Sequence, residues 1–431
     1  MKLLRIAFSL ALVSLIFTQC KKDLVEEPSL KGGKLPDVVP SKMYTVTVEN
    51  VSPFDYFAAG AEFGVDSNGV AVNPPALPGE TITAHFHAGR GHILSFASMY
   101  GASNDWFYAP EDGGIPLFDG DGNPLYTNVD ADITSMIYLW DAGTEVDGSG
   151  NPGTPESEPV ALHPTAENNI QVLLSYDGIS MFTLTINVLP GSATPLSPVA
   201  WVIHYAGQHP IFKEGSLDYG MGLEDLAEMG NPGPLSESLK MHSGYTSPVA
   251  PVLWVVHEKG DMPIFTNNTP DRGKGLERLA ETGDPGELAD TLINRGYNAG
   301  AAAIPDGKNS AGPLSKGDTY TFSFDAKPGQ YLSIASMLGK SNDDFFAFGD
   351  SGIKLVFGNS FGNGGKDITS EVMLWDAGTE VNEYPGAGIH EGGPGDTGTD
   401  ENGVVQPLKD VNDGFWWPHA SQIIKITIHK N

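Results

Sequence analysis

The sequence predicts an all-β protein built from two antiparallel β-sandwiches in tandem. Glycine and proline are abundant, with 53 and 32 of 431 residues. Thr, Val, Ile, Phe and Tyr recur in short alternating runs, which is typical of strands joined by tight turns. A set of motifs from the first half of the chain returns in the second half in the same order. A chain of this length can bury more than one core.

The chain begins with a segment typical of export. Residues 1–19 have a basic start at Lys2 and Arg5, followed by an apolar stretch too short to span a bilayer. This pattern predicts a signal peptide. The only cysteine, Cys20, follows directly, where a bacterial lipoprotein is cleaved and acylated. The residues before Cys20 resemble the relaxed lipoprotein signal of Bacteroidetes-type bacteria.

An acylated Cys20 predicts a protein anchored by lipid to the outer membrane of a Gram-negative, Bacteroidetes-like bacterium. Residues 20–41 are polar and lack periodicity, so we expect a flexible stalk. The charged residues after the cysteine resemble the tether of lipoproteins displayed at the cell surface. Since Cys20 carries the lipid, it cannot form a disulfide, and bound calcium is a common alternative source of rigidity in exported proteins.

The net charge restricts the class of partner. With 54 acidic and 24 basic side chains, the formal charge is −30. Such a chain is repelled by nucleic acids and by anionic lipid surfaces, so the lipid anchor is the only membrane contact that we expect. The dispersed acids favour solubility or the binding of divalent cations, which prefer oxygen ligands. The expected partner is an extracellular protein or a glycan of unknown identity.

Residues 42–190 predict the first sandwich. It opens with Tyr44, Val46 and Val48, which alternate with polar residues as in a half-buried strand. Five further strands are predicted in this range, at Glu80–His87, His92–Tyr100, Ile133–Trp140, Asn169–Tyr176 and Ser180–Leu189.

A smaller repeat lies between the two copies of the main motifs. The segment from Trp201 to Glu228 recurs without a gap from Trp254 to Glu281. Each unit predicts a buried strand and two short helices, which would cap the sandwiches in the segment of about 215–295. We expect the first sandwich to lack this unit. Residues 191–245 then form an extra unit that joins the domains, and residues 246–431 form the second sandwich.

Acidic residues recur with the main motifs. Asp105 follows a strand in the segment SND, and Asp141 and Glu145 stand in LWDAGTE, where another strand ends. The matching residues of the second copy are Asp343, Asp376 and Glu380. Loops at one end of a sandwich converge, so three carboxylates could surround a calcium ion. The alternative is that Asp and Gly merely form turns here, but recurrence of the whole set favours a shared role.

These motifs together resemble the spondin N-terminal domain, a module of F-spondin-like extracellular matrix proteins and of many exported bacterial proteins. The shared features are SMxxxSNDWF, WDAGTE, the opening strand YTVTVENVSP and a helix of the type LxxLAExGDP. The resemblance covers residues 42–190 and 182–431. It implies a C2-like sandwich with one calcium ion in its end loops. The implied ligands are Asp105, Asp141 and Glu145 in one copy and Asp343, Asp376 and Glu380 in the other.

The chain departs from the family pattern at two places. Glu145 and Glu380 stand where the family usually has Asp, so their longer side chains reach the ion differently or through water. Asp344 replaces Trp106 in the second copy, where it either adds a ligand or marks a change in packing. The cysteines of the eukaryotic members are absent.

Two other groups of polar residues favour simpler interpretations. The segment from Asp119 to Asn123 starts like an EF-hand loop, but Pro124 stands where that loop requires glycine, so a turn is expected. His85, His87 and His92 could form a zinc site, although alternating histidines on a strand are more often surface or core residues.

The sequence favours a non-catalytic, calcium-binding adhesion or binding lipoprotein at the cell surface. One alternative is a lipoprotein that captures carbohydrate on exposed aromatics, for which Trp106, Trp416 and Trp417 are the candidates. Core packing is the simpler role for these three side chains. Another alternative is a hydrolase that uses Asp141 and Glu145 with metal-activated water.

Overall fold

The computed structural model describes residues 40–66, 68–150, 152–164, 169–355, 365–391 and 398–431. The predicted signal peptide, the predicted lipidation site Cys20 and almost all of the predicted stalk lie outside these ranges. Residues Ser41–Asn431 form one compact unit. In the described ranges, no helix has both the length and the apolar character needed to cross a membrane.

Strands dominate the described residues, as predicted, and all strand pairs are antiparallel. The first twelve are β1 Lys42–Asn50, β2 Ala58–Glu62, β3 Gly64–Val65, β4 Thr81–His87, β5 His92–Met99, β6 Trp106–Ala109, β7 Ile115–Pro116, β8 Ala131–Asp132, β9 Tyr138–Asp141, β10 Ala161–Leu162, β11 Ile170–Gly178 and β12 Met181–Val188. The others are β13 Val199–Tyr205, β14 Val252–His257, β15 Asn298–Ala302, β16 Thr319–Ala326, β17 Tyr331–Met337, β18 Asp344–Ala347, β19 Ile353–Lys354, β20 Lys366–Asp367, β21 Met373–Asp376, β22 Gln406–Pro407 and β23 Ile424–Lys430.

Four short α-helices lie in the segment where capping helices were predicted. They are α1 Leu223–Met229, α2 Gly233–Met241, α3 Leu276–Thr282 and α4 Gly286–Asn294. Single 3-10 turns occur at Thr134–Met136, Thr369–Glu371, Leu408–Asp410 and Ala420–Gln422.

Sandwich 1 consists of a sheet in the order β3-β4-β12-β11-β8 and a second sheet in the order β10-β9-β6-β5-β13-β2, with β7 beside β5. Alternation puts Phe182, Leu184 and Ile186 of β12 into the core. They share one apolar cluster with Leu94 and Phe96 of the other sheet. The helices α1 and α2 cover the outer face of this second sheet.

Sandwich 2 repeats this arrangement, except that its first sheet has four strands among the described residues and no counterpart of β3. Its sheets have the orders β16-β1-β23-β20 and β15-β14-β17-β18-β21-β22, with β19 beside β17. The helices α3 and α4 cover the outer face of the second sheet, where Leu279 and Leu292 pack on Leu253 and Val255 of β14. Each sandwich therefore has three layers, with two packed sheets and one layer of helices.

The first strand does not belong to the sandwich in which it was predicted. β1 pairs with β16 from Thr319 onward and with β23 at the C-terminal end of the chain. Its buried side chains Tyr44, Val46 and Val48 lie in the core of sandwich 2. Alternation identifies a half-buried strand but carries no information about the sheet that it joins, so the predicted boundary of residues 42–190 was wrong on this point.

The predicted joining unit, residues 191–245, is also part of sandwich 1. β13 lies between β5 and β2 with six residue pairs to β5. Leu226 and Leu235 of the following helices share a core with Phe107 and Trp140 of that sheet. Both sandwiches thus contain one strand-helix unit, which corrects the expectation that the first lacks it.

Sandwich 1 is inserted into sandwich 2, between β1 and β14. The chain enters and leaves the insertion side by side, since the backbone N–H groups of Asp55 and Tyr56 donate to the carbonyl of His242 at 2.9 and 3.0 Å. Gly244 donates back to the carbonyl of Tyr56 at 3.0 Å. The adjacent ends explain how a whole sandwich is accommodated without disturbing the host sheets.

The two sandwiches are circular permutations of each other. In sandwich 2 the first and last strands, β1 and β23, are paired neighbours that begin and end the described fold. In sandwich 1 the matching strands β12 and β11 are joined by a turn at Ile179 and Ser180, both with positive φ. If the two ends of sandwich 2 were joined by such a hairpin, and its chain were opened between α4 and β15, the element order of sandwich 1 would result.

Candidate metal sites

Site 1 is centred on Asp105, which stands directly before β6. Its side chain is fully buried, and Oδ2 accepts hydrogen bonds from the backbone N–H of Thr144 at 2.7 Å and of Glu145 at 3.0 Å. The hydroxyl of Thr144 adds a contact of 3.3 Å to the same oxygen. The other oxygen, Oδ1, is buried and has no hydrogen-bond partner.

Asp141 ends β9 beside this carboxylate, because Asp141 and Trp106 are paired across β9 and β6. The next turn bends sharply at Gly143, whose φ is +67° and whose N–H donates to Asp141 Oδ1 at 2.8 Å. Burial first, and then the nearby carboxylates of Asp105 and Asp147, raise the pKa of Asp141. The turn therefore brings a second carboxylate close to that of Asp105, and the two negative charges repel each other.

Glu145 completes the predicted set. It is buried, with Oε1 accepting from the N–H of Gly153 at 2.8 Å and Oε2 accepting from the amide of Asn104 at 3.2 Å. These bonds hold its longer side chain against the loop. The hydrogen bonds thus connect Asp105 to the backbone of Glu145, but among the described residues three carboxylates come within 4.8 Å of one another only in the second copy.

A further acid comes from the helical layer. Glu228 of α1 hydrogen-bonds to Thr144, and its pKa is raised by burial and by the charges of Glu145, Glu224 and Asp105. The sequence analysis did not include Glu228 among the candidate ligands. The signal that could have found it is the segment LAE, which recurs as Leu279-Ala280-Glu281 in the second strand-helix unit, where Glu281 is buried.

Site 2 repeats the geometry of site 1. Asp343 Oδ2 accepts from the N–H groups of Thr379 and Glu380 at 2.8 and 3.0 Å, and Asp343 Oδ1 is again buried without a partner. Asp376 Oδ1 accepts from the N–H of Gly378 at 2.5 Å. Glu380 Oε1 accepts from the N–H of Gly398 at 2.8 Å. The same bonding pattern in two copies shows that the loop conformation is a property of the motif.

Asp344 distinguishes site 2 from site 1. It occupies the strand position of Trp106, is paired with Asp376 and is fully buried, and neither of its carboxylate oxygens has a hydrogen-bond partner. Ligand oxygens of Asp343, Asp344 and Asp376 lie within 4.8 Å of one another. Of the alternatives left open by the sequence, the structure therefore places Asp344 within the acidic cluster.

The electrostatics of site 2 are those of a cluster that lacks positive charge. Burial raises the pKa of Asp344 well above its usual range, and the carboxylates of Asp343 and Asp376 add to this effect. Burial and the charge of Asp343 raise the pKa of Asp376 to about 7. Several buried oxygens without partners and close carboxylates fit a hard cation, which accepts carboxylate and carbonyl ligands together.

The other polar candidates have separate partners. Asp119 Oδ1 accepts from the N–H groups of Asp121 and Asn123, so this segment is a turn. His85 contacts Thr183 at 2.8 Å, whereas His87 stacks on Tyr384 with 3.6 Å between ring centroids. His92 is buried and accepts from the N–H of Gly89. The three histidines thus have individual packing or hydrogen-bonding roles.

The candidate aromatics lie on different sandwiches. Trp106 packs on His163 and donates from its indole to Asp147 at 2.8 Å, beside site 1. Trp416 and Trp417 line a groove of about 360 Å³ on sandwich 2. Trp416 is 71% exposed, while Trp417 is partly buried against Tyr245. The structure does not bring Trp106 into the groove of the other two.

Comparison with known proteins adds no relative. The sequence matches none of the models of known protein families, and it matches no curated protein. The fold and the sites define a protein of two permuted β-sandwiches with the same acidic loop motif, which forms a cluster of three close carboxylates in sandwich 2.

Proposed function

We propose that the protein is a lipid-anchored, non-catalytic binding protein of the cell surface whose two sandwiches are each stabilised by calcium. The observation that carries the metal assignment is the pair of buried, partnerless oxygens, Asp105 Oδ1 and Asp343 Oδ1, at matching positions. A buried carboxylate oxygen without a partner is costly unless a cation satisfies it.

Calcium is the ion that suits these ligands best. The sites offer several carboxylate oxygens in two neighbouring loops, and calcium accepts six to eight oxygen ligands, including water. Asp105, Asp141 and Glu145 would hold one ion, and Asp343, Asp344, Asp376 and Glu380 the other. The ion would cross-link two loops of each sandwich and offset the repulsion of their carboxylates. The resemblance to spondin N-terminal domains supports the same assignment.

Thermal unfolding with calcium and with a chelator tests this proposal. We expect calcium to raise the melting temperature of the wild type, because a ligand that binds only the folded state stabilises that state. Asp105→Asn and Asp343→Asn should each remove part of the shift. Asp119→Asn, in an acidic turn whose hydrogen bonds stay within residues 119–123, is the matched control and should keep the full shift. A wild type whose melting is the same in calcium and in chelator would exclude the metal assignment.

A further inference from the structure

A cleft at the end of α4 concentrates positive charge in an otherwise acidic protein. The chain has 24 basic and 54 acidic side chains, yet Arg272, Lys274 and Arg295 line one cleft of about 810 Å³. All three are exposed. The ion pairs found among the described residues involve other cations, so these three are not neutralised by a described acid in direct contact.

Arg272 is held in a fixed position by the loop that forms one wall. Its Nη1 donates to the carbonyl of Met262 at 2.7 Å, and its Nη2 donates to the hydroxyl of Thr266. A guanidinium has five N–H donors, so donors remain for a ligand. Partial burial, and next the positive charge of Arg295, lower the pKa of Arg272. The nearby carboxylates of Asp271 and Asp350 act in the opposite direction. Both guanidinium groups line the same cleft, so an anion bound there would lie near both of them.

The other copy of the strand-helix unit lacks this charge. In the ungapped alignment of the two units, Arg272, Lys274 and Arg295 correspond to Tyr219, Met221 and His242. The paired helices are of equal length in the two copies, and the strands β13 and β14 differ by one residue. The fold of the unit consequently does not need the three cations, which points to a role in binding.

The cleft continues into a polar groove. Asp261 and Tyr297 line both the cationic cleft and a neighbouring cavity of about 450 Å³, whose walls include Asn298 and Gln330. The guanidinium of Arg295 lies 5.3 Å from the centroid of the Tyr297 ring. The groove thus places cations at one end and an aromatic ring in the middle. The other end has amide groups together with the carboxylates of Glu258 and Asp325.

We propose that this groove binds an acidic saccharide, with a sugar carboxylate at the cationic end and a neutral sugar at the amide end. An arginine guanidinium can form two parallel hydrogen bonds with a carboxylate. Amide and carboxylate side chains can bind the hydroxyl groups of a sugar, and an aromatic ring can pack against its face. The surrounding negative charge disfavours a long polyanion, so the ligand is a short chain or a chain end. This inference rests on the proposed role as a binding protein, and it does not depend on calcium.

Calorimetric titration of the full-length protein at low salt tests the inference. The probes are a disaccharide of glucuronic acid and glucose, cellobiose as its neutral counterpart, triglutamate as an acidic peptide and inorganic sulfate. We expect the acidic disaccharide to bind at least about tenfold more tightly than each of the others. Arg295→Gln and Lys274→Gln should each weaken its binding by about tenfold. His242→Gln, at the matching position of the other unit, should leave binding unchanged.

Three results would overturn the inference: no binding of the acidic disaccharide, equal binding of triglutamate or sulfate, or binding that neither substitution weakens. The calcium-dependent melting shift, measured on the same variants, shows that they are folded and should be unchanged. A wild type that binds the disaccharide without any calcium shift would refute the metal assignment alone, whereas a calcium shift without saccharide binding would refute only the groove.

Discussion

One cross-strand position distinguishes the two candidate metal sites. At this position sandwich 1 has Trp106, which donates its indole N–H to Asp147, and sandwich 2 has Asp344, whose oxygens have no partner. The sequence shows the exchange and leaves its meaning open, because a neighbouring acid can face the ion or the core. Asp344 and Asp376 are paired across their strands, and paired residues point to the same face of a sheet, so Asp344 faces the acidic cluster.

Asp344→Asn should therefore have opposite effects with and without calcium. In calcium-free buffer at pH 8 we expect the variant to be more stable by about 1 to 3 kcal/mol, because a buried ionisable group without a partner is removed. With calcium we expect a smaller melting shift than in the wild type, because a charged ligand is lost. Thermal melts in both buffers measure the two effects. Destabilisation of the variant in calcium-free buffer would contradict the assigned environment of Asp344.

The raised pKa of Asp376 predicts that the calcium effect depends on pH. The pKa is about 7 in the folded protein and lies well below that in an unfolded chain. The folded state without metal is therefore stabilised by proton binding below about pH 4, and this contribution is lost as the pH rises through 7. Because calcium needs the ionised carboxylate, its melting shift should grow from pH 5.5 to pH 8. Melts across this range in resin-treated buffer measure the shift, and Asp376→Asn should flatten its pH dependence.

At the scale of single elements, the loops of the candidate metal sites depend on a left-handed turn. Gly143 has φ +67°, and a Cβ there would collide with the carbonyl of Glu158. Gly143→Ala should destabilise sandwich 1 by about 2 kcal/mol or more, since left-handed backbone alone costs roughly 1–2 kcal/mol in an L-residue. It should also reduce the calcium shift, because the N–H of residue 143 positions Asp141. Gly148→Ala is a control, as its φ is also positive but a Cβ would meet no atom within 4 Å. Equal losses in both variants would show that only backbone strain is involved.

The strands themselves were predictable, but their partners were not. Alternation gave Thr81–His87 and Met181–Val188 to within one or two residues of the observed ends. The sheet membership of β1 depends on contacts with residues almost three hundred positions away, which local periodicity does not encode. A signal existed in the likeness of Met43-Tyr44-Thr45-Val46 to Met181-Phe182-Thr183-Leu184, since these segments occupy matching positions in the two sandwiches.

At the scale of the whole molecule, the inserted sandwich has the features of an independent domain. It has its own core clusters, and its ends meet at the bonds between Asp55, Tyr56 and His242. Its contacts with the host include the stacking of His87 on Tyr384 and a bond of 3.2 Å from Lys340 Nζ to the carbonyl of Arg90. Ile389 of the host also packs against its apolar core. The host sandwich, by contrast, has its sheets divided between the two ends of the chain.

This asymmetry predicts different behaviour of two fragments. Residues 54–245 should fold alone and keep the calcium-dependent melting shift of site 1, because every strand of that sandwich lies within the fragment. Residues 246–431 lack β1, which forms the centre of a sheet and buries Tyr44, Val46 and Val48. That fragment should fail to melt cooperatively until residues 42–50 are restored by fusion after Asn431, which imitates the hairpin of β11 and β12. Circular dichroism and calorimetry distinguish these states, and cooperative melting of residues 246–431 without the added strand would refute the division of the chain inferred from the strand pairing.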